Sequence, residues 1–305
     1  MDSVYLIILI IIICLILLII PLFMPKNNAE SFANAKRIIN GNKPIIWSYW
    51  ECKPGTTRPG YIDLCFDTIY KHNGNDFNII ILDEKTVHNY LDIPDSILDK
   101  LLIAQKTDYI RVALLYFYGS IWVDADTIVM KNLYPIIDKL NEGYDFVGFG
   151  CSYPICNKEV TGYPKPSNWV IAAKKNSILM GNTLNTLNET IRSKDIKDDT
   201  AFGYFDLGKY IIWKEIDKLR KEKNYEYYHY NSSYDGSRDI NGQWINADNH
   251  MSEIPTKFLN EKDMFFTFLE NSGFMKRYEW FTKLSKDDIM NGPWWVSQLF
   301  RKSLA

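Results

Sequence analysis

Residues 107–127, TDYIRVALLYFYGSIWVDADT, decide how the chain reads. Ile110, Ala113, Leu114 and Phe117 fall at i, i+3, i+4 and i+7, the period of a helix that turns one stripe towards a core. Asp108, Arg111, Leu115 and Tyr118 form a neighbouring stripe, so an acid and a base lie one turn apart. Thr107 is expected to cap the helix and Gly119 to end it in a left-handed conformation. Ile121-Trp122-Val123 then reads as a buried strand, closed by Asp124-Ala125-Asp126. Two acids at the end of an apolar strand are costly unless a cation meets them.

Outward from this stretch, helix and strand patterns alternate. Pro44–Trp50 is expected as a first strand, Tyr61–His72 as a helix and Phe77–Leu82 as a second strand. Asp83 is placed to cap a helix running through Tyr90, and Pro94 to open another. Strands at Asp145–Phe149 and Trp169–Ala173 follow, with helices over Ser177–Ile191 and Lys209–Glu222. The alternation predicts an α/β fold with a mostly parallel sheet flanked by helices. Residues 44–305 read as one α/β domain whose pattern weakens into a C-terminal extension beyond about Thr200.

The N-terminus differs in kind. Val4–Ile20 is 17 consecutive apolar residues, extended by Leu22-Phe23-Met24. Crossing a bilayer takes roughly 17–25 such residues, and there is no basic n-region or small-residue cleavage site. Residues 1–24 are therefore expected as one transmembrane anchor and 25–43 as a polar stalk. Asp2 precedes the run while Lys26, Lys36 and Arg37 follow it, so the positive-inside rule only weakly favours a cytosolic body and the side of the membrane stays open. The formal net charge of -2 points away from a nucleic-acid partner. Cys52, Cys65, Cys151 and Cys156 lack metal-site spacing. Asn188-Glu-Thr and Asn231-Ser-Ser match the glycosylation acceptor pattern at a level near chance for an Asn-rich chain.

Strand residues at i and i+2 lie about 6.5–7 Å apart, from a rise of ~3.3 Å per residue. Asp124 and Asp126 could not both bind one small cation directly across that gap without a turn or a water. Carboxylates suit Mg2+ or Mn2+, with phosphate oxygens completing the shell. The bland alternative is a pair of solvated strand-end acids.

The run Asp108-x2-Arg111-x3-Leu115-x2-Tyr118-Gly119-x2-Trp122-x-Asp124-x-Asp126 resembles the signature of the DXD-motif sugar transferases, which include initiating α-1,6-mannosyltransferases and capsular polysaccharide synthesis proteins. Thr107 stands for the family's Ser, Ser120 for its second Gly and Trp122 for its Tyr. Ile45–Trp50 resembles the family's first strand. The resemblance implies a GT-A fold and transfer of a sugar from a nucleotide-sugar donor to a glycan or glycoconjugate acceptor, with retention of configuration. It implies that Trp50 stacks on the nucleotide base and that Asp108 and Arg111 bind donor hydroxyls. Trp122 contacts the donor on this reading, Asp126 binds the metal directly, and Asp124 holds the ribose, the sugar or a metal-bound water.

Asp248, Asn249 and His250 are candidates for a third metal ligand, and Trp280, Trp294, Trp295 and the run Tyr225–Tyr234 for an acceptor surface. Two rivals stand beside this reading. A haloacid-dehalogenase-type phosphatase would use Asp124 as nucleophile and Asp126 as acid/base, although Ile128 misses that motif's Thr or Val. A membrane-anchored glycan-binding protein without catalysis would keep the aromatics but has little need of both aspartates.

Overall fold

A computed structural model describes residues 33–36, 41–150, 163–193, 202–203 and 206–305. The central sheet has six strands: β1 (Ile45–Tyr49), β2 (Asn78–Leu82), β3 (Ser120–Val123), β5 (Phe146–Phe149), β6 (Val170–Ala173) and β7 (Tyr228–Tyr230). A separate ribbon pairs β4 (Thr127–Val129) with β8 (Phe266–Phe268) antiparallel. The sheet order is β2-β1-β3-β6-β5-β7. Five strands run one way and β6 runs against both neighbours, so the sheet is mixed. The apolar run 169–173 marked a buried strand but carries no sign of direction.

Among the described residues, the helices that frame the strands include α1 (Gly60–Asn73), α2 (Ile103–Tyr118), α3 (Tyr134–Asn141), α4 (Ile178–Ser193), α5 (Lys209–Lys223), α6 (Ala247–Met251), α7 (Asn271–Arg277), α8 (Lys286–Asn291) and α9 (Trp295–Leu304). The strand residues alternate between two cores. Ile46, Ile121, Val123, Val147 and Ala172 join one core with residues of α1, α3 and α9. Trp47, Trp122, Phe146, Ile171 and Ala173 join the other with residues of α2, α4 and α5. Both faces being covered, the strands read as continuous apolar runs rather than alternating ones.

Several local expectations are corrected. α2 starts at Ile103, with the Gln105 side chain accepting from the Leu102 amide, and Thr107 lies inside it donating to the Ile103 carbonyl. Every residue from Asp108 to Leu115 is buried, so α2 is enclosed rather than amphipathic. Asp83 does accept the Thr86 amide, but only a single 3-10 turn, Thr86–Asn89, follows. The helix after Pro94 is Asp95–Leu98.

The C-terminal third belongs to the body. β8 pairs with β4, and Trp295, Val296, Leu299 and Phe300 of α9 lie in the same core as α1. Residues Phe32–Ala305 form one compact unit. The expected stalk touches that unit at Asn34–Ala35, which pairs with Leu91–Asp92, and Ala33 is buried. The Val4–Ile20 run lies outside the described residues, as do Cys151 and Cys156. Among the described residues no helix is long and apolar enough to cross a membrane.

Candidate active site

The two aspartates sit beyond the end of β3, in the turn that joins it to β4. The two acids are therefore set on a turn rather than along a strand. Each acid belongs to a different layer. Asp124 continues the parity of Trp122 and faces α2, where its Oδ1 accepts from Arg111 at 2.6 Å and from the Trp122 indole at 2.6 Å. Asp126 is approached from the C-terminal segment. The Leu269 amide donates to its carbonyl at 2.8 Å and the Asn271 amide to its Oδ2 at 3.3 Å. The Tyr61 hydroxyl holds the Asn271 side chain from α1.

Arg111 connects the helix to the turn. One guanidinium nitrogen donates to Asp108 at 2.7 Å and another to Asp124 at 2.6 Å, over the face of Trp122. Asp108 also accepts from Asn168 at 2.7 Å. A side chain on Gly208, just before α5, would collide with the Asp108 carboxylate and with Asn168. Asp108, Arg111 and Asp124 thus form one bonded unit, whose first effect is to orient Asp124.

Trp122 is fully buried, so it reaches any ligand only through the Asp124 carboxylate that its N–H holds. Trp50 is half-buried after β1, its indole N–H without a hydrogen-bond partner among the described residues. Glu51 beside it accepts from Tyr49 and from Lys106 of α2.

Three carboxyls at and behind the turn are perturbed by burial and by one another. Burial pushes the Asp108 carboxyl up to about 6 despite Arg111, with Asp124 adding to the rise. Asp124 is raised by burial, with Arg111 opposing. Asp126 stands well above the usual carboxylate range, through burial and then through the charge of Asp124. Lys209, at the start of α5, is lowered by burial to about 8 and faces the field of Asp108. Counting Arg111 and Lys209, three acids still outnumber two bases. A divalent cation beside Asp126 fits this excess, and no three of His, Cys, Asp and Glu gather into a complete site among the described residues. Most of such a cation's shell would come from ligand oxygens and water.

The expected third ligands have other work. Asp248 accepts from Arg277 at 2.9 Å and Tyr278 at 2.8 Å. Asn249 forms a reciprocal cap with Asn246, and His250 is stacked between Phe274 and Trp295 in the core. Trp295 is buried, Tyr228–Tyr230 is the edge strand β7, and Trp280 is exposed and packed on Trp294. Asn168, Leu269 and Asn271, which hold the acids in place, had no signature in the sequence, because their contacts are backbone groups or a lone amide.

The chain matches the capsular polysaccharide synthesis protein family over residues 23–235, and it belongs to that family. The match includes Trp50, Asp108, Arg111, Asp124 and Asp126 and ends before Leu269–Asn271. No curated protein matches the chain. Among solved structures it is similar to the PaToxG glycosyltransferase, at 16% identity over 60% of this chain and 70% of that one, with a TM-score of 0.40. It is also similar to the galactosyltransferase LgtC, solved with donor and acceptor sugar analogues, at 12% identity over 78% and 94%, TM-score 0.45. The glycosyltransferase GlyE of Streptococcus pneumoniae TIGR4 is similar at 12% identity over 64% and 46%, TM-score 0.34.

Proposed function

We propose that this protein is a metal-dependent glycosyltransferase that moves a sugar, with retention of configuration, from a nucleotide-sugar donor to a glycan or glycoconjugate acceptor. The observation that carries the reading is the Asp108–Arg111–Asp124 unit at the end of β3, with Asp126 in the same turn, its carboxyl held well above the usual range by burial and by the charge of Asp124. A structural ion pair would not need the second acid of the turn.

On this reading Trp50 offers an aromatic face to the nucleotide base. The free oxygen of Asp124 orients the ribose or sugar, and Arg111 keeps that carboxylate aimed. Asp126 would hold Mg2+ or Mn2+, and Asp124 would bind the ribose, the sugar or a metal-bound water; when bound, the cation would neutralise the departing nucleoside diphosphate. In the transfer the bond from the anomeric carbon to the phosphate oxygen breaks. The acceptor hydroxyl oxygen bonds to that carbon from the same side, and its proton leaves with the diphosphate.

The phosphatase alternative is disfavoured by Asp124 itself, since its Oδ1 accepts two hydrogen bonds that reduce its nucleophilicity. The membrane anchor at residues 1–24 remains part of this proposal as a single-pass tether. The test is release of nucleoside diphosphate from a panel of nucleotide sugars, with Mn2+, with Mg2+ and with EDTA. Release that requires the metal and one class of donor supports the reading. Phosphate release from a simple phosphoester, without any from a nucleotide sugar, would overturn it.

A further inference from the structure

Three aromatic rings stack on one another, two of them on residues whose backbone is bonded to or paired beside the Asp124–Asp126 turn, and none belongs to the motif that marked the site. Trp169 precedes β6, and its carbonyl accepts the Asp124 amide at 2.8 Å. Phe268 ends β8, one residue before the Leu269 amide that donates to the Asp126 carbonyl at 2.8 Å. The two rings stack with centroids 4.2 Å apart and planes 21° from parallel. Trp244 lies nearly parallel to Trp169, at 6.1 Å and 19°. Trp169 is buried, whereas Phe268 and Trp244 are half-buried.

The loop that presents Trp244 is tied down. Asp239 accepts the amides of Asn241 and Gln243, Arg238 donates to the Gly242 carbonyl, and a β-bridge joins Arg238 to Trp244. Half-buried Glu270 and Asn271 follow Phe268 after the buried Leu269. A flat, held aromatic face with polar groups at its rim is the chemistry that recognises a pyranose: ring C–H groups lie on the π face while hydroxyls reach the rim. Trp244 and Phe268 pack against the core yet are only half-buried.

We propose that Trp244 and Phe268, backed by Trp169, are the acceptor-sugar subsite. This rests on the reading of the turn as a sugar-transfer site. The three rings pack against the same core as Trp50, whereas α2 belongs to the other core. A donor base on Trp50 and an acceptor sugar on the shelf would therefore approach the turn from the layer that does not hold Arg111.

The test uses methyl glycosides of glucose, galactose and mannose as probes, with a nucleoside diphosphate and Mg2+ present. Saturation-transfer NMR from the protein's aromatic protons to the probes reads binding; nucleoside diphosphate release from donor sugar reads the acids separately. We expect saturation transfer to at least one glycoside in the wild type. Trp244→Ala should lose it by fivefold or more, Trp244→Leu should lose it comparably, and Trp244→Phe should retain part. Acceptor-independent donor hydrolysis should be unchanged in all three. Absence of saturation transfer in the wild type, or equal transfer in Trp244→Leu, overturns the shelf whatever the donor assay gives. Saturation transfer without donor hydrolysis would leave the shelf standing and refute the transferase reading instead.

Discussion

Replacing Arg111 with Met removes a cation bonded to both Asp108 and Asp124. Its side chain is only 4% exposed, and its two charge-assisted bonds are 2.7 and 2.6 Å long. Breaking a buried pair by deleting one partner costs about 3–5 kcal/mol, because the surviving charge stays buried. Here two carboxylates survive, so the upper part of that range is expected at pH 8. The penalty depends on pH. With Arg111 gone, both acids titrate in the folded state above their unfolded values, Asp108 already being near 6 with Arg111 present. Protonation in the fold then relieves the repulsion as pH falls, so the deficit at pH 5 should be smaller than at pH 8. Adding Asp108→Asn should recover part of the loss, since Asn can still accept from Asn168 without a charge. Urea unfolding of the three variants at both pH values measures this. A cost for Arg111→Met below about 1 kcal/mol, independent of pH, would refute the reasoning, because surface pairs behave that way.

Ser120 holds a left-handed backbone at φ 79° while its hydroxyl accepts the Ile45 amide at 2.7 Å, so Ser120→Ala should destabilise by about 1–3 kcal/mol. Ser120→Gly should cost less, because it loses the same bond but relieves the backbone; thermal melting of both checks the order. Gly119→Ala should be worse than either, since φ is 74° and a Cβ would sit 2.5 Å from the Lys175 amide. His250, lowered by burial to about 3, takes up its proton on unfolding, so it subtracts stability as pH falls from about 6.5 towards 3, by up to ~1.4 kcal/mol per pH unit. His250→Phe should flatten that slope relative to wild type in equilibrium unfolding at pH 7, 5.5 and 4.

The central α/β pattern was legible because its strands are bare apolar runs and its helices carry core-facing periods. Ile45–Tyr49, Asn78–Leu82 and Phe146–Phe149 fall where the sequence placed them. The direction of β6 was not legible, since pairing partners are set by the order of crossovers. The start of α2 was missed because a Leu at the cap position, served by Gln105, gives no hydroxyl signal. In the site, Asp108 and Arg111 announced themselves by helical spacing, and the structure shows that they also bind Asp124. The second wall escaped notice because it is made of amides: Leu269 and Asn271 reach Asp126 through backbone N–H groups that any residue possesses. Trp169, Trp244 and Phe268 are distant in sequence and become a set only through the pairing of β8 with β4.

Asp126 is the residue on which the functional account turns. The direct measurement is nucleoside diphosphate release from the best donor as a function of Mn2+ concentration, for wild type and Asp126→Asn, with circular dichroism confirming an unchanged fold. The account predicts saturable Mn2+ activation in the wild type and a loss of 100-fold or more in the variant at any metal concentration. Equal release from both proteins, or release that ignores Mn2+ and EDTA alike, would contradict it.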